Sequence, residues 1–274
     1  MSESIRQTMV LTGCASGIGK CLSRRFLDEG HRVFCTDIDV EPMRAWIEEG
    51  DYSTAQVGWQ KLDVRHPSDW EEALAEASRQ FGDVDVMMNI AGFLRPGYVC
   101  DVDCADVDLH LDVNVKGVIL GTRAAAQRMR DQGHGHIVNF GSLASLTPVP
   151  GLSLYGASKF AVRGFSLAAA EELRPHGVDV SLVLLDAVKT PMLDLQADYE
   201  EAALTFSGRR PLTLDEVETL MVDHVLVGRP LEVTLPKSRG LMARFAGTAP
   251  DLTRLLSPLM TRIGRRAQEK FEKD

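Results

Sequence analysis

The sequence predicts an α/β protein with a doubly wound parallel sheet of about seven strands and helices on both faces. Short apolar, β-branched runs alternate with longer amphipathic runs from the first residues to about residue 185, which is typical of repeated β-α units. A glycine-rich turn at residues 12–19 follows the first apolar run and opens the first amphipathic one, as in the first unit of many such sheets.

Each apolar run long enough for a buried strand, and each amphipathic run long enough for a helix, is assigned to one element. The predicted strands are Met9–Thr12, Arg32–Thr36, Gly58–Leu62, Val84–Asn89, His136–Phe140, Val178–Leu185 and Leu231–Leu235. The predicted helices are Gly17–Glu29, Glu41–Glu49, Pro67–Phe81, Cys104–Asp131, Leu154–Arg174 and Leu214–Val227.

The length of 274 residues and the hydrophobic content of 45% predict a single domain over residues 1–274. Residues 190–212 form an irregular insertion too long for an ordinary connection, and we predict a substrate lid there. Residues 238–274 are predicted to be a C-terminal helical extension.

Within that extension, Ser257–Phe271 is a basic amphipathic segment. Its apolar residues are Leu259, Met260 and Ile263, and its cations are Arg262, Arg265, Arg266 and Lys270. Such a helix is expected to pack on its own protein or on a partner subunit. Contact with a membrane surface is the less favoured alternative.

Composition excludes several classes of protein. A net charge of −9 and a pI near 5.3 argue against nucleic-acid binding, which needs clustered cations. The N-terminus lacks the apolar core of a signal peptide, and no run approaches the roughly 18 apolar residues of a membrane span, so we predict a cytoplasmic protein. Cys100, Cys104 and His110 suggest a metal corner, but no second ligand pair follows at zinc-site spacing, and we predict no metal site.

Tyr155 and Lys159 are the most informative pair in the chain. They are four residues apart in a segment expected to be helical, so their side chains leave the same helix face. An ammonium one turn away favours the phenolate, and we expect it to lower the tyrosine pKa from its usual value near 10. The spacing alone is common by chance, so the pair gains meaning from the rest of the chain.

A second signal is the turn Thr12–Gly19, where glycines allow a pyrophosphate to approach a helix N-terminus. Its G-x-x-x-G-x-G spacing differs from G-x-G-x-x-G and is by itself moderate support for a nucleotide site. Asp37 follows eighteen residues after Gly19, at the end of the second predicted strand. An acid at that place can accept a hydrogen bond from a ribose 2′-hydroxyl.

Together these motifs give the chain a clear resemblance to the short-chain dehydrogenase/reductase family over nearly all of residues 8–237. The elements that carry it, in chain order, are the T-G-x-x-x-G-x-G turn at Thr12–Gly19, Asp63-Val64, Asn89-Ile90-Ala91-Gly92, Asn114-Val115-Lys116-Gly117, Ser142, and Tyr155 with Lys159. The resemblance implies a Rossmann-type fold and a nicotinamide cofactor.

The resemblance implies a role for each matching residue. Tyr155 would transfer the proton, Ser142 would hold the substrate oxygen, Lys159 would bind the ribose and tune the tyrosine, and Asn114 would hold a water linking Lys159 to solvent. The implied cofactor contacts are Gly13, Ser16, Gly17, Ile18, Gly19, Asp37, Ile38, Asp63, Val64, Asn89, Ala91, Gly92, Tyr155, Lys159, Val188 and Thr190. Family precedent also implies a homodimer or homotetramer.

The chain departs from the family pattern after the sixth predicted strand. The usual P-G-x-V-x-T-P-M is replaced by Leu185-Asp186-Ala187-Val188-Lys189-Thr190-Pro191-Met192, so a carboxylate stands where glycine usually passes the nicotinamide. An ionised Asp186 pointing inward would favour NAD⁺ over NADH. Alternatively, the side chain turns to solvent or caps the next turn.

We therefore expect an enzyme that transfers a hydride between NAD(H) and the carbinol or carbonyl carbon of a lipophilic secondary alcohol or ketone. An NADPH-dependent ketone reductase and a non-catalytic nucleotide-sensing protein are the alternatives. The expected substrate pocket is almost entirely apolar and comprises Phe93, Leu94, Leu143, Val149, Leu152, Met192, Leu193, Leu195, Leu204 and Phe206.

Overall fold

A computed structural model describes residues 6–271 and contains one sheet of seven parallel strands. The strands are β1 Thr8–Thr12, β2 Arg32–Asp37, β3 Val57–Lys61, β4 Val86–Asn89, β5 Gly135–Ser142, β6 Val178–Leu185 and β7 Glu232–Leu235, in the order β3-β2-β1-β4-β5-β6-β7. The prediction of a doubly wound sheet is confirmed, and the strand boundaries differ from those predicted by at most two residues.

Helices cover both faces of the sheet. They are α1 Gly17–Asp28, α2 Val40–Glu49, α3 Pro67–Phe81, α4 Cys104–Leu109, α5 Gly117–Gln132, α6 Ser153–Leu173, α7 Pro191–Ala197, α8 Leu214–Leu220, α9 Leu226–Gly228, α10 Lys237–Thr248 and α11 Pro250–Phe271.

The alternation of side chains along each strand divides the core into two layers. On β1, Met9 and Leu11 pack with residues of α1, α2 and α8, whereas Val10 packs on the opposite face with residues of α3 and α5. Because every residue of β1 is buried, the strand has no polar alternation. A continuous apolar run is what a central parallel strand covered on both faces requires.

Two predicted helices are each interrupted by a wider turn. The predicted helix Cys104–Asp131 is α4 and α5 joined by a π-helical segment at His110–Lys116, and the helix predicted at Leu214–Val227 has a second one at Met221–Val225. Period-3.6 patterns do not reveal such single wide turns. They occur frequently at functional sites, and the first of them carries Asn114.

The insertion at residues 190–212 is more regular than its sequence predicts. It contains α7 and a 3₁₀ segment at Glu200–Ser207, and α11 packs on both. Gln268 of α11 is buried and donates from Nε2 to the carbonyl oxygens of Gln196, Ala197 and Tyr199, at 3.1, 3.0 and 2.7 Å. One side chain thus binds carbonyls that the end of α7 leaves without helical partners.

The segment predicted as a helical extension, residues 238–274, contains α10, which starts at Lys237, and α11, which starts at Pro250 and continues through Pro258. None of the described helices is long and apolar enough to cross a membrane.

Gly264 should be the position where α11 tolerates a side chain least. A Cβ added there would lie within van der Waals overlap of the backbone carbonyl of Ala203, 1.9 Å from its oxygen. We expect Gly264→Ala to lower the free energy of unfolding by about 1–3 kcal/mol. The measurement is thermal unfolding, where each kcal/mol corresponds to about 2–4 °C.

Gly228→Ala is the matched control, since nothing lies within 4 Å of the added Cβ there. Equal melting temperatures for Gly264→Ala and Gly228→Ala would show that the packing of α11 on the 3₁₀ segment is wrong.

Candidate active site

A cleft of about 1580 Å³ opens at the carboxyl ends of the strands. The strand order reverses between β1 and β4, since β2 and β3 lie on one side of β1 and β4 to β7 on the other. The loops after β1 and β4 must therefore diverge, and the crevice between them is where open α/β sheets bind ligands.

The glycine-rich turn is held tightly against the loop after β4. Gly13 has φ +74°, and a Cβ there would lie 3.1 Å from Cα of Ala91. The Thr12 hydroxyl oxygen accepts hydrogen bonds from the amides of Ile90 and Ala91, both at 3.0 Å. These contacts use only the backbone of residue 90, which explains why Ile90 is compatible with the motif.

The N-terminus of α1 suits a phosphate group. Its N-cap, Ser16, makes no side-chain hydrogen bond to the helix, and the first turn contains no acidic residue. Amides at a helix start lack intrahelical partners and carry partial positive charge. Ser16, Gly17, Ile18 and Gly19 all line the cleft, so these residues fit the pyrophosphate of a dinucleotide.

Asp37 lies at the end of β2 and joins the turn to the cleft wall. Its carboxylate accepts hydrogen bonds from the amides of Ala15 at 2.8 Å and Asp39 at 3.0 Å. The neighbouring Asp63 is held by Arg65, whose Nε and Nη2 lie 2.8 and 2.6 Å from its two carboxylate oxygens, and this contact lowers the pKa of Asp63. The adenosine end of the cleft is thus bordered by carboxylates.

Tyr155 and Lys159 lie on one face of α6 inside the cleft, as their spacing predicts. Lys159 is buried, donates from Nζ to the carbonyl of Phe140 at 2.9 Å, and lies 5.5 Å from the centre of the Tyr155 ring. Burial lowers the pKa of Lys159 to about 8 and raises that of Tyr155 to about 12, although a hydrogen bond with Ser142 opposes the rise at Tyr155.

In the protein alone, burial thus places the pKa of Tyr155 above its usual value, in contrast to the lowering that the spacing with Lys159 predicts. Ser142 stands at the carboxyl end of β5, and its hydroxyl accepts the amide of Ala144 at 3.1 Å. That bond fixes the hydroxyl beside the phenol, so the two oxygens form one donor pair facing the cleft.

Asn114 acts from behind the cleft wall rather than from within it. Its side chain is fully buried, accepts the amide of Phe93 at 2.7 Å, and donates to the Phe93 carbonyl at 2.8 Å and to Ser158 Oγ at 3.0 Å. Ser158 in turn donates to the carbonyl of Tyr155 at 2.7 Å. The side chain thus ties the π-helical turn to the loop after β4 and to α6.

Among the predicted cofactor contacts, Asn89 is the one that does not line the cleft. Its amide nitrogen donates to Asn139 at 2.8 Å and to Thr122 at 3.3 Å inside the core. Because it is the last residue of β4, its side chain still belongs to the sheet face rather than to the loop. The other predicted contacts line the cleft: Gly13, Ser16, Gly17, Ile18, Gly19, Asp37, Ile38, Asp63, Val64, Ala91, Gly92, Tyr155, Lys159, Val188 and Thr190.

Asp186 points into the cleft and pairs with a residue of the C-terminal extension. Its Oδ2 lies 2.5 Å from Nε of Arg239, in the first turn of α10. Burial raises the pKa of Asp186, and Arg239 opposes that rise. The replacement of glycine by Asp186 is thus accompanied by a cation. The inward orientation is the one observed, and its effect on the balance between NAD⁺ and NADH stays a prediction.

The substrate end of the cleft is apolar, but its walls differ in part from those predicted. Leu94, Leu143, Val149, Leu152, Met192, Leu193 and Leu204 line it. Phe93, Leu195 and Phe206 do not, and Phe206 instead packs in a cluster with Phe271 of α11.

The sequence interpretation missed the share of the wall that comes from α10 and α11. These helices contribute Arg239, Met242, Ala246, Thr253, Leu256 and Met260, among others. The signal that could have identified them is the helical spacing of the apolar residues Leu241, Met242 and Phe245, which precede the predicted amphipathic segment Ser257–Phe271. Within residues 6–271, no group of three or more His, Cys, Asp or Glu residues is placed to hold a metal ion.

The fold and this cleft define a dinucleotide-binding α/β protein, and comparison with known proteins specifies its family. A family model described as short chain dehydrogenase matches residues 7–201. The chain belongs to that family. It is therefore an oxidoreductase acting on CH–OH groups with a nicotinamide dinucleotide.

Individual relatives are similar over most of their length. The chain is 34% identical over 217 residues to an NADP-dependent 3-hydroxy acid dehydrogenase of Salmonella typhi, covering 76% of this chain and 85% of the relative. It is 36% identical over 190 residues to a 3-alpha-(or 20-beta)-hydroxysteroid dehydrogenase of Mycobacterium tuberculosis, covering 69% and 72%.

A solved structure also resembles this fold. The closed form of a serine dehydrogenase complexed with NADP⁺ superimposes with a TM-score of 0.74 at 28% identity, covering 83% of this chain and 93% of the other.

Removal of Arg239 should lower the stability of the protein, because it leaves the Asp186 carboxylate without its ion-pair partner. We expect Arg239→Gln to lower the free energy of unfolding by about 1–3 kcal/mol at pH 8, because a mostly buried carboxylate loses its partner. The raised pKa of Asp186 sets the sign: its neutral form is favoured in the folded state, so the loss should shrink as the pH falls towards 5. Thermal unfolding at both pH values measures this.

Two variants complete the experiment. Asp186→Asn/Arg239→Gln should recover most of the loss at pH 8, whereas Arg229→Gln should change little, since its partner Asp179 is 44% exposed. A pH-independent loss in Arg239→Gln would contradict the pairing.

Proposed function

We propose that this chain oxidises a lipophilic secondary alcohol with NAD⁺, through proton transfer by Tyr155. The observation that carries the proposal is the Ser142–Tyr155–Lys159 group at the junction of a phosphate-binding turn and an apolar pocket. The apolar wall favours substrates that leave water readily, and the few polar groups converge at one point where a hydroxyl could be oriented.

The residues would divide the work as follows. The nicotinamide, when bound, supplies the hydride acceptor. In the oxidation, the Tyr155 phenolate and the Ser142 hydroxyl would hold the substrate hydroxyl by hydrogen bonds, and the phenolate would take the hydroxyl proton and become the phenol as the carbonyl forms. The Lys159 ammonium, at 5.5 Å from the Tyr155 ring, would stabilise the phenolate that this step requires.

Asn114 is proposed as a positioning residue in this scheme. Its side-chain nitrogen and oxygen are occupied by Phe93 and Ser158, so it fixes the turn of α6 that carries Tyr155. A water bound at this residue and leading to Lys159 stays a prediction.

The choice of NAD follows from charge at the adenosine end. Asp37 and Asp39 line the cleft after β2, and the cation lining the same end, Arg65, is engaged by Asp63. A 2′-phosphate at this end would lie next to carboxylates, and Arg65 is already paired, so charge repulsion should disfavour NADP(H). Both the relative from Salmonella typhi and the structural neighbour carry NADP in their names, so NADPH-linked ketone reduction is the competing candidate.

We also propose a homodimer or homotetramer assembled through α6. Ala157, Ala161, Gly164 and Ala168 form an exposed stripe of small residues on that helix, and Phe160 beside them is 44% exposed. Small residues allow two helices to approach closely, and the aromatic ring adds apolar area to the contact.

Replacing Tyr155 should separate chemistry from binding. Tyr155→Phe deletes the phenol oxygen that would accept the substrate proton, so we expect kcat for a lipophilic secondary alcohol to fall by roughly 10²–10⁴-fold while the dissociation constant for NADH changes little. The measurements are NADH formation by absorbance and cofactor titration by fluorescence. Tyr98→Phe, at a tyrosine outside the cleft, is the control. Retention of a tenth of the activity in Tyr155→Phe would require another base.

Cofactor selectivity should depend on Asp37. We expect the wild-type chain to bind NADH at least tenfold more tightly than NADPH, and Asp37→Ser to reduce that ratio by about tenfold, equivalent to about 1.4 kcal/mol. The quantity to measure is the ratio of the NADPH and NADH dissociation constants. The substitution also removes the hydrogen bond from the Ala15 amide, and we expect that loss to weaken the binding of both cofactors.

Asp39 is exposed, so Asp39→Ser should alter the ratio of the two dissociation constants less than Asp37→Ser does. Equal affinity of the wild type for the two cofactors would leave NADPH-linked reduction as the better account.

A further inference from the structure

The two C-terminal helices present apolar side chains to solvent. On α10, Leu241, Met242 and Phe245 are between 63 and 71% exposed, and their spacing places them on one face. On α11, Leu255, Leu256, Leu259 and Ile263 are between 45 and 75% exposed. We call these seven residues the apolar surface. Contiguous apolar exposure of this kind marks an interaction site more often than single exposed residues do.

The opposite face of α11 is already used. Gly264, Gln268 and Phe271 lie half a turn away from Leu255 and Leu259 around the helix, and they pack on the insertion that carries α7. The apolar surface is therefore exposed even though α11 packs firmly on the protein through its other face. The helix has one face against the protein and a second face that the described chain leaves uncovered.

The apolar surface is bordered by cations. Between residues 237 and 271 there are eight Lys and Arg against two Asp and Glu, a net charge of +6. The whole chain has a net charge of −9, so the remaining residues carry −15. Along α11, Arg262, Arg266 and Lys270 continue the stripe that begins with Leu255 and Leu259. The net charge of these two helices is thus opposite in sign to that of the rest of the chain.

We propose that α10 and α11 dock the protein on an anionic lipid surface. Apolar side chains enter the boundary between headgroups and acyl chains, and the adjacent cations meet the negative headgroups. A second copy of this chain fits less well, because a two-fold contact would place the same cation-bordered surface on both sides of the interface, and like charges repel. An anionic surface neutralises these cations, while the acidic body faces away from it.

The apolar surface also continues into the cleft. Met242 and Leu256 are exposed, and both line the cleft wall. If the proposed function is correct, a lipophilic substrate reaches the site from the bound membrane rather than from water. Lipid binding itself does not depend on that function and is measured without turnover.

The test is co-sedimentation of the full-length protein with vesicles of phosphatidylcholine alone or with about one-third phosphatidylglycerol. We expect at least tenfold stronger partitioning onto the anionic vesicles, and loss of that preference at high salt. Leu255→Ser/Leu259→Ser and Arg262→Gln/Arg266→Gln should each weaken it about tenfold or more. None of these four residues lines the cleft, so the variants should bind the cofactor like the wild type. Unchanged cofactor binding therefore shows that the variants are folded.

The controls match exposure and charge at other places. Val227→Ser changes an apolar residue that is 78% exposed on α9, and Arg79→Gln/Arg174→Gln removes two cations outside the C-terminal helices. Both should bind vesicles like the wild type. Absence of binding to anionic vesicles would overturn the proposal. So would a dimer that Leu255→Ser/Leu259→Ser converts to a monomer without any effect on lipid partitioning, because the surface would then be a contact between copies.

Discussion

Burial of the Lys159 amine beside the Tyr155 ring is the constraint on which the candidate site depends. The amine is held by the carbonyl of Phe140 at the end of β5, so its place is set by the sheet as well as by α6. Burial shifts both pKa values against ionisation, to about 8 for the lysine and about 12 for the tyrosine. At neutral pH, however, most of the lysine remains protonated, and a cation is available next to the phenol.

The carboxyl end of the sheet supports this pair through hydrogen bonds to backbone groups. Thr12 ties the glycine-rich turn to the loop after β4, Asp37 ties it to β2, and Asn114 ties the loop after β4 to α6. The Thr12 bonds join the two loops that diverge at the switch point of the sheet. The groups proposed to bind phosphate and to transfer the proton are therefore held in one arrangement, as positioned catalysis requires.

The C-terminal helices add residues to the cleft that the family motifs do not include. Arg239 compensates the charge of Asp186, which replaces a glycine, and α10 and α11 complete the wall of the pocket. The same helices carry the cations and the exposed apolar residues of the molecule's basic side. The proposed substrate access and the proposed lipid binding would thus depend on the same two helices.

The sheet, the glycine-rich turn and the Tyr155–Lys159 spacing could be predicted because they are local patterns with a fixed period or spacing. The orientation of the Asn89 side chain, the partner of Asp186 and the contact of α10 with the cleft could not. Whether the Asn89 side chain faces the core or the cleft depends on where β4 ends, which shifts by a residue without any change in hydropathy. The pairing of Asp186 with Arg239 joins residues 53 positions apart, and no sequence period encodes such a contact. The π-helical turn at Asn114 is one residue of extra winding within an otherwise continuous helical pattern.

The most direct test of the account is the pKa of Tyr155, followed by NMR of tyrosine labelled with ¹³C at Cζ and assigned with Tyr155→Phe. The account predicts a pKa near 12 in the free protein, because burial outweighs the hydrogen bond from Ser142. It also predicts a clear fall when NAD⁺ is bound, since a cationic ring then joins Lys159 at the phenol. A pKa near 10 in the free protein, or one that NAD⁺ leaves unchanged, would contradict it.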